Sequence, residues 1–383
     1  MNCSRYPSQV VSRAPSVPVH RLALRIGVVA TLATTILAGC AGYYLQAASG
    51  QAALMRARQP LEQVLADPST PATLHQQLLV VDAVLLFARL ELELPSTRSY
   101  RHYADVGRPY VVWNVFAAPE FSLEPHEWCY PVAGCTAYRG WFSEARARAS
   151  AESLVRRGND VFVGGVAAYS TLGWFADPVL NTMLGGDATG LAGLLFHELA
   201  HQRLYVAGDT LFNEGFATLV EEEGTRRWLL SRRDAAGLCR FEARQSRRAT
   251  VLAILGELRR VLTAVYAGEA PIGERRLQRA AVFAEARASY ARVRAGWKEP
   301  PWFDSWFDAG LNNARLAALS SYEDYVPAFR ALLAQDGGNL GRFYGSVAAL
   351  GERAVEPRAE ALRALGLQAA AGFSALPASG TCP

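Results

Sequence analysis

The sequence predicts an α+β fold that is mostly α: a small sheet beside a helix pair, with helical segments at both ends. Three observations predict it. From residue 187 to about 366 the apolar positions recur almost without a break at helical spacing. Between about 100 and 170 the texture changes to short β-branched and aromatic runs bounded by Pro, Gly or Asn. With 51% of 383 residues apolar and 19% charged, the chain can bury a sizeable core. The net charge of +4 is small for this length and argues against nucleic acid as a partner. The arginine-rich run 232–248 alternates with apolar and acidic residues at helical spacing, so it reads as a solvated helix face.

Taken in order, the elements begin with a targeting segment. Arg21 and Arg25 precede an uncharged apolar run, Ile26 to Gly39, which ends Leu37-Ala38-Gly39-Cys40. A positive start, an apolar middle and small residues at the cut make a signal peptide over 1–39. The ending resembles the bacterial lipoprotein signal, which implies that Cys40 is lipidated and begins the mature chain. A plain membrane-spanning anchor is the alternative, since uncharged residues continue through Ala48. Either reading places the remainder outside the cytoplasm, at a membrane.

Residues 42–67 read as a helix broken by Pro68 and Pro71, and 72–94 as a second helix ended by Pro95. Together, 40–99 form an N-terminal helical segment. Strands are expected at 110–118, 136–142 and 160–169, with a helix between the last two. Helices at 188–206 and 210–232 complete a catalytic α+β region over 100–232, and 233–383 is a C-terminal helical region. Four cysteines remain beyond Cys3 and Cys40, an even number that suits disulfides outside the cytoplasm. Cys129 and Cys135 can close a small loop bent at Pro131 and Gly134, worth roughly 2 to 3 kcal/mol by chain entropy. A metal clip there would need closer spacing and a nearby histidine. Cys239 and Cys382 are left over.

The chemistry lies between 196 and 223. His197-Glu198-Leu199-Ala200-His201 is an HExxH pattern. Residues four apart share a helix face, so both imidazoles can reach one cation. Glu198, rotated by about 100° from His197, can lean over an open coordination position. Gly208 suits a helix stop, and Asp209 or Thr210 suits the next N-cap. His201 and Glu214 lie almost symmetrically about that turn, each roughly 9 Å of helix away, so a hairpin would bring Glu214 level with His201. A third ligand then arrives where zinc needs one.

Asn213-Glu214-Gly215-Phe216-Ala217 after an HELAHQ helix resembles the NEGFA segment of the gluzincin aminopeptidases, the aminopeptidase N group, although the spacer is shorter here. More of the chain is similar to a bacterial family of predicted aminopeptidases with lipoprotein signals. The similar stretches are CAGYYLQAASGQ, WCYPVAGCTAYRGWF, GGVAAYSTLGWFADPVLNTML, the whole of 196–224 and LNNARLAALSSYEDYVPAF. The resemblance implies a gluzincin-like fold, Zn2+ held by His197, His201 and Glu214, and Glu198 as general base. It also implies peptide substrates and a periplasmic, lipid-anchored location. Thr218, one turn beyond Glu214, is a candidate to support a ligand. Tyr322 and Tyr325 are candidates for a second electrophile, a role tyrosine fills in the aminopeptidase N group. Gly164 and Gly165, within a strand just upstream of the zinc helix, would let a peptide backbone approach and pair. A carboxylate for the substrate's free amine has three candidates: Asp177, Asp187 and Glu221. The rivals are an endopeptidase with the same site and a non-catalytic lipoprotein that uses metal only to hold its helices together.

Overall fold

The computed structural model describes residues 42–130, 134–171, 174–298, 303–308 and 310–372, without the side chains of 320–323 and 368–372. The expected signal peptide, Cys40 and Cys382 lie outside the described residues, as does the side chain of Tyr322. Helix α1 covers 42–57. The single helix expected through 67 is interrupted, because Pro60 has no N–H to donate and disfavours helical backbone at Gln59. Gln59–Pro60 instead form strand β1, and α2 follows at Leu61–Ala66. Helix α3, Ala72–Glu91, is long and apolar enough by composition to cross a membrane. It nevertheless buries Leu78, Val81, Val84 and Leu85 in the main core. Strand β2, His102–Ala104, pairs antiparallel with β1 and parallel with a later strand at 179–180.

The principal sheet is three-stranded, with β3 (Val112–Pro119) at its centre. The strand expected at 136–142 divides in two. Gly134–Thr136 is β5, which returns on β4, Trp128–Tyr130, across the Cys129–Cys135 disulfide. Arg139–Trp141 is β6, an antiparallel neighbour of β3. Between them Thr136 Oγ1 donates to the Tyr138 carbonyl at 2.7 Å, a local bond that competes with the ladder. After helix α4, Glu144–Val155, strand β7 at Asn159–Val166 pairs with the other side of β3 and forms the sheet's opposite edge. Alternation sends Trp113 and Val115 of β3 toward Ala147 and Ala151 of α4. Phe116 faces the opposite way.

Strand β8, Val179–Leu180, leads into α5, Ala188–Arg203, and α6, Thr210–Ser231, which pack on each other as an antiparallel pair. α7 (Ala235–Ala267) and α8 (Ile272–Arg294) form a long hairpin with its own apolar centre around Val251, Leu255, Phe283 and Tyr290. The arginines of 232–248 lie largely on its solvated side, where Arg244 meets Asp187 at 3.2 Å. A short α9, Asp304–Asp308, precedes α10, Asn313–Glu323, whose Ala314 and Ala318 pack on Phe116. α11 (Val326–Gln335), α12 (Leu340–Gly351) and α13 (Val355–Gly372) close the fold over α6.

One buried ion pair ties the last of these helices to the α5–α6 connection. Arg358 is almost fully buried, and its Nε and Nη2 reach Asp209 Oδ2 at 2.9 and 2.8 Å. Its Nη1 donates to the Gly351 carbonyl at 2.8 Å. Asp209 Oδ1 meanwhile accepts from Phe212 N at 3.0 Å and caps α6. Removing one partner of such a pair strands a charge, whereas removing both does not. Arg358→Met should therefore cost about 3 kcal/mol in denaturant unfolding. Adding Asp209→Asn, which keeps a capping oxygen, should recover a large part of it; a double variant no more stable than the single one would contradict this account.

Candidate metal centre

The site begins with how α5 and α6 are started and joined. Asp187 caps α5 by accepting from Gly190 N at 2.7 Å. The helix ends at Arg203, earlier than the expected 206, where Leu204 turns extended. Gly208, at φ +81°, makes the reversal rather than the helix stop itself. Asn213 then clamps the connection from inside: its Oδ1 accepts from Val206 N at 2.8 Å and its Nδ2 donates to Val206 O at 2.7 Å. The next two residues also have separate reasons. Glu214 faces α5, and a Cβ on Gly215 would sit 3.1 Å from Tyr325 Cβ, so glycine there lets α11 close over α6.

The result is a buried cluster in which His197, His201 and Glu214 each offer a ligand atom, all within 4.8 Å of one another. The two Nε2 atoms are 3.2 Å apart. Glu214 Oε2 lies 3.2 Å from His197 Nε2 and 3.6 Å from His201 Nε2. Two nitrogen lone pairs and a carboxylate oxygen converging this closely need a proton or a cation among them. Around zinc, with bonds of about 2.0 to 2.1 Å, the edge of a coordination tetrahedron is about 3.3 to 3.4 Å. The donors present therefore fit a small divalent ion in kind, number and spacing.

Burial and neighbouring charge set the protonation of the side chains themselves. Burial works against a charged His197, but the hydrogen bonds it donates to Glu214 and Glu221 and their charges outweigh it and hold His197 well above its ordinary pKa. Burial likewise works against ionised Glu214, yet His201 and His197 bring its carboxyl down to about 2. Glu198 is different. Burial raises its pKa, the charges of His197 and His201 counter this, and Glu214 and Asp177 reinforce it.

Glu221, a candidate for the substrate's free amine, sits beside His197. Its Oε2 lies 3.1 Å from His197 Nδ1, so one carboxylate oxygen fixes the ring of His197. Close helix approach permits this: a Cβ on Gly193 would lie 3.0 Å from Thr225 Oγ1 and 3.3 Å from Glu221 Cγ. Two turns of helix separate Glu221 from Glu214, a spacing that could have pointed to it. Thr218 is buried on α6 but carries none of the described hydrogen bonds of the cluster. Asp177, 1% exposed, accepts from Thr171 N and Oγ1, both at 2.8 Å, and so holds a loop. Asp187 lies about 15 Å of helix from His197.

The tyrosines are also redistributed. Tyr325 packs its Cβ over Gly215, and the largest electrostatic neighbours of its phenol are Asp209, Arg363, Asp324 and Arg358, around the turn. Tyr138, part of the WCYPVAGCTAYRGWF stretch, lies on the connection between β5 and β6 with its ring 5.4 Å from that of Phe116. Burial raises its phenol's pKa most, followed by the charges of Glu214, Tyr205 and Glu198. Tyr205 lies just beyond α5, with its ring 6.5 Å from that of His201. Gly164 and Gly165 are on β7, at the sheet edge. A Cβ on Gly165 would meet the Tyr110 ring at 2.3 Å, so ring packing accounts for this glycine. The disulfide hairpin reaches the site from the other side: a Cβ on Gly134 would lie 2.7 Å from Gly208 N.

A family model described as "putative aminopeptidase" matches residues 42–362. No curated protein and no solved structure matches the chain.

The hydrogen bond to His197 separates the two candidates for supporting a ligand. If the cluster holds zinc, Glu221→Gln should weaken its binding about 10- to 100-fold in a competitive chelator titration. Thr218→Val, close in volume, should leave the affinity where it was; the reverse pattern would return the role to Thr218.

Proposed function

The chain belongs to that family of aminopeptidases, and from this premise we propose that it is a zinc-dependent aminopeptidase acting on peptides outside the cytoplasm, tethered to a bacterial membrane through a lipid on Cys40. One observation carries the metal part of the reading: the two imidazole nitrogens and one carboxylate oxygen at 3.2, 3.2 and 3.6 Å from one another. His197, His201 and Glu214 would hold the ion, with Glu221 fixing the ring of His197. Zinc in such a site supplies Lewis acidity, acidifying water and polarising a carbonyl.

The chain's own residues supply the rest. Glu198, on the same turn as His197, takes a proton from the water that attacks the peptide carbonyl and returns it to the leaving amine. Tyr100 feels the charge of Glu198, Tyr205 that of Glu214 and Tyr138 that of both, so Tyr138 is the phenol we assign to the developing oxyanion. Buried walls formed by α5 and α6 keep bulk water from competing with these groups. Asp177, Asp187 and Glu221 are each committed elsewhere, so preference for a free amino terminus is taken from the family. The disulfide of Cys129 and Cys135 agrees with an oxidising compartment. Cys239 is also disulfide-bonded.

Glu198→Gln should retain zinc by elemental analysis while turnover falls by about 10² to 10⁴. His197→Ala should lose metal and activity together; full zinc occupancy in that variant would remove His197 from the ligand set. Peptides with free amino termini should be shortened stepwise and their acetylated counterparts left intact. Internal cleavage of the acetylated peptides would make the enzyme an endopeptidase.

A further inference from the structure

On a part of the surface that no catalytic residue occupies, a groove of about 450 Å³ opens between the end of α1 and the 97–102 and 174–176 segments. Its charged lining is entirely basic: Arg58, Arg98 and Arg101, with His102 beside them. Among the described residues Arg101 has one carboxylate partner, the exposed Asp82 at 3.4 Å, and neither Arg58 nor Arg98 has an ion pair. At the rim stand Trp174, 73% exposed, and Phe175, 49% exposed. Two large aromatic rings held out in water beside three guanidinium groups leave apolar and cationic surface that a covering partner would bury.

The surroundings bear on what would cover them. Asp82, the partner of Arg101, sits on α3 between Leu79 and Leu86, and these two together with Leu90 are exposed along one side of that helix. Apolar surface therefore continues from the groove. The helix that ends at the groove, α1, has no acidic residue, and the only charges from 42 to 58 are Arg56 within it and Arg58 just past its end. At its other end Tyr44 and Leu45 are exposed. Immediately before it, in 1–41, comes the uncharged apolar run Ile26 to Gly39. Along α1 the groove is only about 24 Å from the point where that run joins. Arginines to meet phosphates, a tryptophan for the headgroup layer and apolar side chains beside them are the composition of a membrane-facing surface.

We propose that this patch rests on an anionic phospholipid surface, with Arg58, Arg98 and Arg101 on headgroup phosphates and Trp174 and Phe175 in the headgroup layer. The contact fixes the orientation of the protein on its membrane and does not require Cys40 to be acylated. Full-length protein bound to vesicles containing brominated phosphatidylcholine tests it, with and without about a third phosphatidylglycerol. Flotation reports attachment by the N-terminal segment, and quenching of tryptophan emission reports the patch. In anionic vesicles a quenched component should appear that is lost in Trp174→Phe and reduced severalfold in Arg58→Gln/Arg98→Gln/Arg101→Gln, with flotation and peptidase activity unchanged in both. In pure phosphatidylcholine that component should be small. Equal quenching in wild type and Trp174→Phe would overturn the proposal. So would loss of quenching on adding inorganic phosphate or a single-stranded oligonucleotide below the lipid phosphate concentration, which would make the groove a site for a soluble anion. Protein that fails to float on pure phosphatidylcholine yet shows Trp174 quenching on anionic vesicles would refute the anchor and leave the patch standing.

Discussion

The structure depends on one reversal, residues 204–209, which returns α6 against α5 so that an acidic oxygen meets two imidazole nitrogens inside an otherwise apolar helix pair. Four ionisable side chains, His197, Glu198, His201 and Glu214, are buried there among Phe196, Leu199, Phe212 and Phe216. Ionised groups in such surroundings are expensive unless each meets an opposite charge or a hydrogen bond. The helices are consequently free to approach only where their polar groups match. A shift of either helix by one residue would rotate Glu214 about 100° away from the imidazoles and strand all four.

So exacting a match needs the reversal held from several directions, and distant parts of the chain converge to do it. Asn213 bonds both polar atoms of Val206 from within. Arg358, from a helix more than a hundred residues later, holds the capping carboxylate of Asp209. Gly134, from the disulfide hairpin, presses backbone to backbone on Gly208. Tyr325 and Phe329 fill the space left by the absent side chain of Gly215. The helical C-terminal part and the small hairpin thus act on the site through the turn, and the disulfide keeps the hairpin compact where it meets that turn.

What could be read in the sequence follows from the range of the interactions involved. The HExxH pair is legible because both histidines lie on one helix and the α period alone places them together. Glu214 is nearly as legible, since counting equal lengths of helix from a turn centred on Gly208 needs only one assumption, that the chain reverses there. Mostly helical architecture with a small sheet emerges from periodicity in the same way. Glu221 was harder to place, because it opens an acidic run, Glu221 to Glu223, that looks solvated, and only the close approach at Gly193 brings it to His197. Tyr138 was legible only as part of a strand-like stretch: its position depends on β6 pairing with β3 from more than twenty residues away and on Thr136 bending the chain between β5 and β6. The break at Pro60 was visible as a residue type, but a proline near a helix end does not announce that its neighbour will join a sheet.

The charge balance inside the cluster bears on which carboxylate does what. Ionised Glu198, Glu214 and Glu221 beside two neutral imidazoles would place three negative charges in a nearly dry space. The side chains by themselves can balance this only by gaining protons, and the gains fall unequally. His197 is held protonated by the two glutamates it touches, Glu214 stays ionised down to about 2, and Glu198 is pushed toward its neutral form. A divalent ion between the three donors would supply two positive charges in place of protons and leave His197 neutral, as a ligand must be. Glu214, already the more acidic, is suited to remain an anion throughout. Glu198, beside the donors but not among them, is the carboxylate whose proton affinity the surroundings raise. Two glutamates set apart in this way by their environments are what acid–base work requires, one to hold charge and the other to exchange a proton.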